Sequence, residues 1–324
     1  MIPNIRPTVR PEPFDDAQDR LVEGRRAHGS RRACSWFDRA LLSVVEGLTT
    51  NGKGFAGGAA CFLSVAAFAF DAPESSKYKL DFGTEVRLYP ETARDARQTD
   101  GTLSFSLLGR ADYEWNGGTT KLAISPFARH DSADEERTHA DMREFELRHR
   151  SGNLDWRAGI GKVFWGTTEF VHLVDIINQT DGVESIDGED KLGQPMLSLA
   201  WSSPYGVFSG FVLPYFRERT LPGVAGRLRG PVAFEQGAAV YESSRRKKHV
   251  DAAVRWQYTK GAIDAGLSHF VGTAREPRFE LLFNSPEPTL LPIYDQIRQT
   301  SLDFNAVSGS WIWKLEALHQ QNRI

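Results

Sequence analysis

From residue 77 to its end, the chain alternates short and long gaps between segments that are themselves alternating in polarity. Short gaps fall at Asn116-Gly117-Gly118, Ser151-Gly152-Asn153, Ser202–Gly206, Lys260-Gly261 and Ser308-Gly309. Long, mostly polar gaps fall at 90–101, 130–141, 166–194, 218–247 and 273–299. A meander with tight turns at one end and long loops at the other is the layout of an outer-membrane β-barrel. The rhythm therefore predicts a chain held in a bilayer, although mean hydropathy is -0.40 and 25% of residues are charged. A bundle of transmembrane helices is excluded, because each helix needs an apolar run of ~20 residues. Only Gly54–Phe70 comes near that size. A barrel strand shows lipid every second side chain and escapes the demand.

The segment 77–88 carries the clearest signal. Tyr78, Leu80, Phe82, Thr84, Val86 and Leu88 form one face; Lys77, Lys79, Asp81, Glu85 and Arg87 form the other, with Gly83 among them. Period two over that length reads as a strand with one apolar and one polar side. The same pattern sets Leu103, Phe105 and Leu107 against Ser104, Ser106 and Arg110, and Phe145 and Leu147 against Glu144, Glu146 and Arg148. It sets Val254, Trp256 and Tyr258 against Arg255 and Gln257, and Trp311, Trp313 and Leu315 against Lys314 and Glu316. Segments 195–201 and 207–216 are apolar on both faces and read as strands from length and flanking turns alone. About eleven strands result.

A soluble β-sandwich also alternates. Two features favour the barrel. The polar face carries charges of both signs in nearly every strand, as a wet lumen would. Aromatic residues also gather beside the short turns: Tyr113 and Trp115, Trp156, Trp201 and Tyr205, Trp256 and Tyr258, Trp311 and Trp313. Amphipathic rings favour the headgroup level, so the set reads as one interfacial girdle. The predicted fold is all-β, an antiparallel up-and-down transmembrane β-barrel.

Strand number adds an expectation. With the short turns in the periplasm, the first and the eleventh strand both run outward. Bacterial single-chain barrels have even strand numbers. The final residues Leu318–Ile324 contain no closing strand with a terminal aromatic. The sequence therefore predicts a chain truncated near residue 318, from a protein with more strands.

Ahead of the barrel, Lys53 precedes the apolar run Gly54–Phe70, and Ala67-Phe68-Ala69 has the small-x-small form of a signal-peptidase site. Residues 46–69 are read as a signal peptide cleaved after Ala69, and 70–324 as the barrel domain. A buried or membrane-spanning helix is the competing reading of that run. Both cysteines, Cys34 and Cys61, precede the cleavage point, which suits an exported protein without disulfides. Residues 1–45 do not fit a signal peptide's short basic start. Their segment 10–30 resembles a translated bacterial extragenic repeat, and on that resemblance the true start falls between Val44 and Thr50. A disordered extension is the alternative, permitted by the Arg, Asp and Pro content.

Searches for chemistry return little. His130, Asp131, Asp134, Glu135, Glu136, His139 and Asp141 lie close in sequence, but no spacing among them matches a zinc or EF-hand site. Asp187-Gly188-Glu189-Asp190 reads as a turn. No G-x-S-x-G is present. Ser268 and His269 are neighbours and point to opposite faces of a strand, so they form no dyad. No metal, cofactor or catalytic residue is assigned, and the chain is not read as an enzyme. The formal net charge of -3 gives no reason to expect nucleic acid as a partner. Arg245-Arg246-Lys247-Lys248 is a cluster of the kind that meets lipopolysaccharide phosphates; a solvated strand end is the plainer reading.

The most distinctive stretch is 159–201. It contains Gly161-Lys162-Val163-Phe164-Trp165-Gly166, Val174-Asp175-Ile176-Ile177-Asn178-Gln179-Thr180-Asp181 and Asp187–Pro195. It is too long and too apolar for a simple external loop, and a segment of this kind can fold inward and narrow a pore. Pro214-Tyr215-Phe216-Arg217-Glu218-Arg219 and Gly226-Arg227-Leu228-Arg229 form a second loop of fixed character. Together these stretches resemble a family of uncharacterised Gram-negative outer-membrane proteins, distantly like the alginate-export and other porin-like barrels. The resemblance covers 77–318. It implies an outer-membrane location, reached through the periplasm, and a channel, and it is silent on substrate.

The expected function is thus a porin-like channel for small polar solutes. Its expected pore lining is Lys79, Asp81, Glu85, Arg87, Arg110, Asp112, Glu114, Arg129, Glu144, Glu146, Arg148, Asp155, Arg157 and Arg255. Opposed charges across a pore favour polar solutes. Outer-membrane lipid and lipopolysaccharide are the other expected partners. A filled barrel whose charges merely satisfy one another, a rim-active hydrolase, and a loop-based receptor or adhesin are the alternatives.

Overall fold

A computed structural model describes residues 72–184, 187–283 and 287–322. The amino-terminal extension, the proposed signal peptide and both cysteines lie outside the described residues. Strands are β1 (Ser75–Leu88), β2 (Gly101–Trp115), β3 (Thr120–Asp131), β4 (His139–Ser151), β5 (Leu154–Gly161), β6 (Gln194–Ser203), β7 (Gly206–Leu213), β8 (Ala233–Phe234), β9 (Val240–Tyr241), β10 (Asp251–Lys260), β11 (Ile263–Thr273), β12 (Arg278–Leu282), β13 (Thr289–Tyr294), β14 (Gln296–Ser308) and β15 (Trp311–Asn322). Eleven of them make one antiparallel up-and-down sheet in the order β1-β2-β3-β4-β5-β6-β7-β10-β11-β14-β15. Among the described residues no ladder joins β1 to β15.

The five short turns fall where the sequence puts them, because each is chemically local. The β2–β3 turn holds Asn116, Gly117 and Gly118 in succession at φ 55, 63 and 81, a left-handed run that glycine and asparagine tolerate best. β7 stops at Leu213, short of the expected 216: Pro214 has no N–H to give the ladder. The remaining four strands lie inside the stretches 218–247 and 273–299, which the sequence presents as long polar gaps. β12 and β13 form a hairpin inside the β11–β14 connection, and β13 pairs in parallel with β8 and β9 from the β7–β10 connection. Segments of two to six residues leave too little periodicity to read.

The sheet has the polarity of a soluble protein turned inside out. On one face Phe82, Leu107, Phe145, Leu199, Val254, Leu267 and Leu315 are exposed. On the other, Ser104, Ser198, Arg255, Ser268, Ser301, Asp303 and Glu316 are buried. A soluble monomer rarely exposes a contiguous apolar surface beyond a few hundred Å². A face made of whole strands exceeds that limit and needs an apolar cover, which hydrocarbon supplies to the outer face of a membrane barrel.

Register sharpens the point. Followed through the ladder, the apolar run lies at Tyr78–Leu88 in β1, Leu154–Ile160 in β5, Ala252–Tyr258 in β10 and Trp311–Ala317 in β15. Its middle slips by about seven same-face positions over roughly ten strand-to-strand steps; at ~6.8 Å per position and ~4.8 Å per step the band slopes near 45° to the ladder. Strands of membrane barrels tilt by about that angle. The band is level in a bilayer only if the strands are tilted. The aromatic residues of the short-turn side follow its lower border on the apolar face. Trp201 stacks on Phe208, Trp256 on Tyr258 and Trp311 on Trp313.

The β5–β6 connection turns back over the polar face. Trp165, Val174, Ile176 and Ile177 pack with Met196 of β6, Phe211 and Leu213 of β7, Ala253 of β10, Phe270 of β11 and Ile297 of β14. This is the principal core of the described residues, and one loop supplies its centre.

Candidate functional site

All fourteen residues expected along a pore lie on the polar face, as their ladder partners require. Most are ion-paired. Lys79 meets Asp81 at 3.0 Å, Arg110 meets Asp112 at 3.0 Å and Lys121 meets Glu114 at 2.8 Å. Arg87 pairs with Glu85. Arg148 reaches Asp155 at 2.7 Å, and Arg157 lies 3.8 Å from Glu146. These residues are exposed or half-buried, so their charges stay in contact with water. Glu144 occupies the same face of β4.

Arg255 differs. It is sealed with Asp303 beneath the loop, its guanidinium 2.9 Å from one carboxylate oxygen and over the Trp165 ring. A Cβ on Gly266 would collide with both partners, so glycine there makes room for the pair. Arg275 is likewise buried, donating to Asp251 at 2.8 Å and to the Ile177 carbonyl at 3.0 Å, between the rings of Phe216 and Phe270.

The loop is pinned at both ends of its crossing. On the β15 side, Glu316 accepts from the Thr167 N–H at 2.7 Å, the Thr168 N–H at 2.9 Å, the Thr168 hydroxyl at 2.8 Å and the Val174 N–H at 3.3 Å. Lys314 pairs with Glu169 at 2.7 Å. On the β3–β4 side, Arg129 pairs with Glu184 and Arg143 with Asp181, at 2.8 and 2.6 Å. Between them Asn178 bridges the loop's own ends, donating to the carbonyls of Gly161 and Leu192 and accepting from the Val163 N–H. Asp175 is held by the Trp165 N–H and lies 3.5 Å from Lys191; burial pushes its carboxyl above the ordinary range.

The other long loops meet over the same end of the sheet. Asp134 accepts from the Gly223 N–H, Arg229 pairs with Asp95, and Gln98 donates to the Gly226 carbonyl. Burial raises the Asp134 carboxyl, against the hydrogen bonds it accepts. In the small loop sheet Tyr294 packs on Phe216 and Tyr241, and burial pushes its hydroxyl up to about 12.

His139, Asp181 and Glu184 bring ligand atoms within 4.8 Å of one another. Arg143 and Arg129 already neutralise the two carboxylates, so the arrangement is an ion-pair network and holds no metal ligand set of net negative charge. Asp187 accepts from the Glu189 N–H, as the turn reading requires. The basic run Arg245–Lys248 sits before β10 in a 3-10 turn. Lys247 pairs with Glu218, and Arg246 lies over the Tyr241 ring. Sequence reasoning did not single out Glu316, Asp303, Arg275, Arg143 or Asp181. Glu316 and Asp303 carry one local signal, a charge between apolar neighbours; Arg275, Arg143 and Asp181 carry none, and the partners named above for all five lie at least 24 residues away.

No protein-family model and no curated protein sequence matches this chain. Among solved structures the chain is similar to a BenF-like porin from Pseudomonas fluorescens Pf-5, at 10% identity and a TM-score of 0.38, over 78% of this chain and 69% of that one. So slight a likeness carries none of the assignment. What the described residues establish on their own geometry is an all-β, eleven-stranded up-and-down sheet, apolar on one face and charged on the other, with one loop laid across its charged face.

Proposed function

We propose that this chain is the wall of an outer-membrane channel for small polar solutes, with the 162–193 loop as its constriction. The observation that supports the reading best is the burial of that loop on the charged face. A filled barrel would need its whole polar face covered, yet the polar face of β1 is exposed from Lys77 to Gly83. In hydrocarbon an unpaired backbone group costs several kcal/mol, roughly, so in the bilayer the edges β1 and β15 are paired. The paired charges along β1–β5 present alternating donors and acceptors to a passing solute, which suits polar solutes of either sign.

Reconstitution of the full chain into a planar bilayer tests the proposal. Discrete current steps are expected. Protein that inserts, as judged by protease protection, and passes no current at any voltage would overturn the channel and leave a filled barrel.

A further inference from the structure

The apolar face carries a cluster of polar side chains on its long-loop side. β11, β14 and β15 carry polar side chains at two successive ladder positions on that face: His269, Thr300 and His319, then Arg298 and Gln321 beside Val271. All are exposed. They line a cleft of about 340 Å³. On β14 and β15 the next positions toward the short turns are Leu302 and Ala317, and Ala317 ends the apolar band of β15. The cleft therefore lies just beyond the hydrocarbon level, on the long-loop side, and opens toward lipid.

Its chemistry is one-signed. Among the described residues no Asp or Glu lies on the apolar face of the eleven strands, and Arg298 is the one Arg or Lys there apart from Lys260 at a short turn. Among the described residues no carboxylate lines the cleft to neutralise Arg298. The neighbours are held in place: His269 Nδ1 lies 2.9 Å from the Thr300 hydroxyl, and His319 Nε2 lies 3.3 Å from the Gln321 amide. At the same border β7 offers Val212 and β10 Ala252, while β3 offers a single His130.

We infer that this cleft binds the phosphate of a lipid headgroup, that of a lipid-A-type phosphoglycolipid in the leaflet on the long-loop side. A guanidinium matches two phosphate oxygens with parallel N–H bonds. The imidazoles, the Thr300 hydroxyl and the Gln321 amide supply further donors for the sugar and phosphate oxygens. A face turned to the membrane meets headgroups before it meets free anions. The inference rests on the membrane reading of the sheet and not on conduction.

The full chain is inserted into nanodiscs of zwitterionic lipid and titrated with bisphosphorylated lipid A, with bound lipid counted by native mass spectrometry. Phosphatase-treated lipid A and free inorganic phosphate serve as the other arms. Binding that needs the lipid phosphate, resists inorganic phosphate at equal concentration, and weakens about tenfold or more in Arg298→Gln is expected, since a hydrogen bond to a charged group contributes ~1.5–3 kcal/mol. Arg298→Lys keeps the charge and loses the fork, so it should retain part of the affinity. Equal binding of dephosphorylated lipid, displacement by inorganic phosphate, or an unchanged Arg298→Gln variant would overturn the site. A chain that fails to insert at all would instead sink the membrane reading, and protease protection separates the two failures.

Discussion

The polar face is two surfaces in one. Toward the short turns of β1–β5 the ion pairs join neighbouring strands or residues two apart and stay exposed or half-buried; Lys79–Asp81 and Arg110–Asp112 are typical. Beneath the 162–193 loop Asp251, Arg255, Asp303 and Glu316 of β10, β14 and β15 are buried, and their partners lie up to 149 residues away, as with Thr167 and Glu316. Both halves use the same alphabet of Arg, Asp and Glu. Solvent decides what those letters do. A wet pair is worth little and leaves its charges open to a solute; a sealed pair cannot be broken cheaply and fixes the position of the loop.

That contrast can be broken by exchange. Replacing residues 166–190 by a short Gly-Ser linker should convert the sealed half into a wet one. Single-channel conductance is expected to rise several-fold, and an unchanged value would show that the loop is not the constriction. Asp303→Asn leaves Arg255 buried without its counter-charge and is expected to lower stability by about 3–5 kcal/mol in denaturant unfolding. Glu316→Ala strips the acceptor from three backbone N–H groups and one hydroxyl. A loss of about 2–4 kcal/mol is expected, with the loop becoming protease-sensitive. On the wet half, Asp81→Ala should cost no more than about 1 kcal/mol, because Lys79–Asp81 is exposed. A large loss there would erase the distinction.

A smaller effect is set by pH. Burial raises the Asp175 carboxyl in the docked loop. The docked loop therefore takes up this proton more readily than the freed loop. On account of Asp175, docking is strongest below the ordinary carboxylate value and weakens as pH climbs from there through the raised one. Asp175→Asn keeps the group neutral and should flatten that part of the pH dependence of conductance. An identical pH profile in the variant would show that Asp175 does not govern docking.

Much of this fold was legible because its signals are local. Period two in 77–88, Asn116-Gly117-Gly118 and the aromatic pairs beside each short turn are readable within a few residues, and they give the strands, the turns and the two faces. The β5–β6 connection was legible as an oddity: Val174, Ile176 and Ile177 are too apolar for a loop in water, and they form the core. What the sequence hides is pairing at a distance. Thr289 beside Ala233, Ile293 beside Val240, and Glu316 beneath Thr167 have no local mark. The cleft around Arg298 was hidden for the same reason, since its residues come from three strands. Each looks like an ordinary strand end until the register puts them together.

The oblique apolar stripe behaves like the pitch of a screw thread. Because alternation has a period of two, adding two residues to one strand leaves every side chain on its proper face, and no inspection of that strand alone would find fault. The ladder beyond it would nevertheless advance by one position, ~6.8 Å along the strand, and with strands tilted near 45° the stripe on all later strands would miss the hydrocarbon by about a sixth of its ~30 Å thickness. Strand lengths are thus tied to one another across the whole sheet, while the long connections are free to grow. In descendants of this chain, paired-residue insertions should be purged from the strands as firmly as single ones, and length variation should collect on the long-loop side.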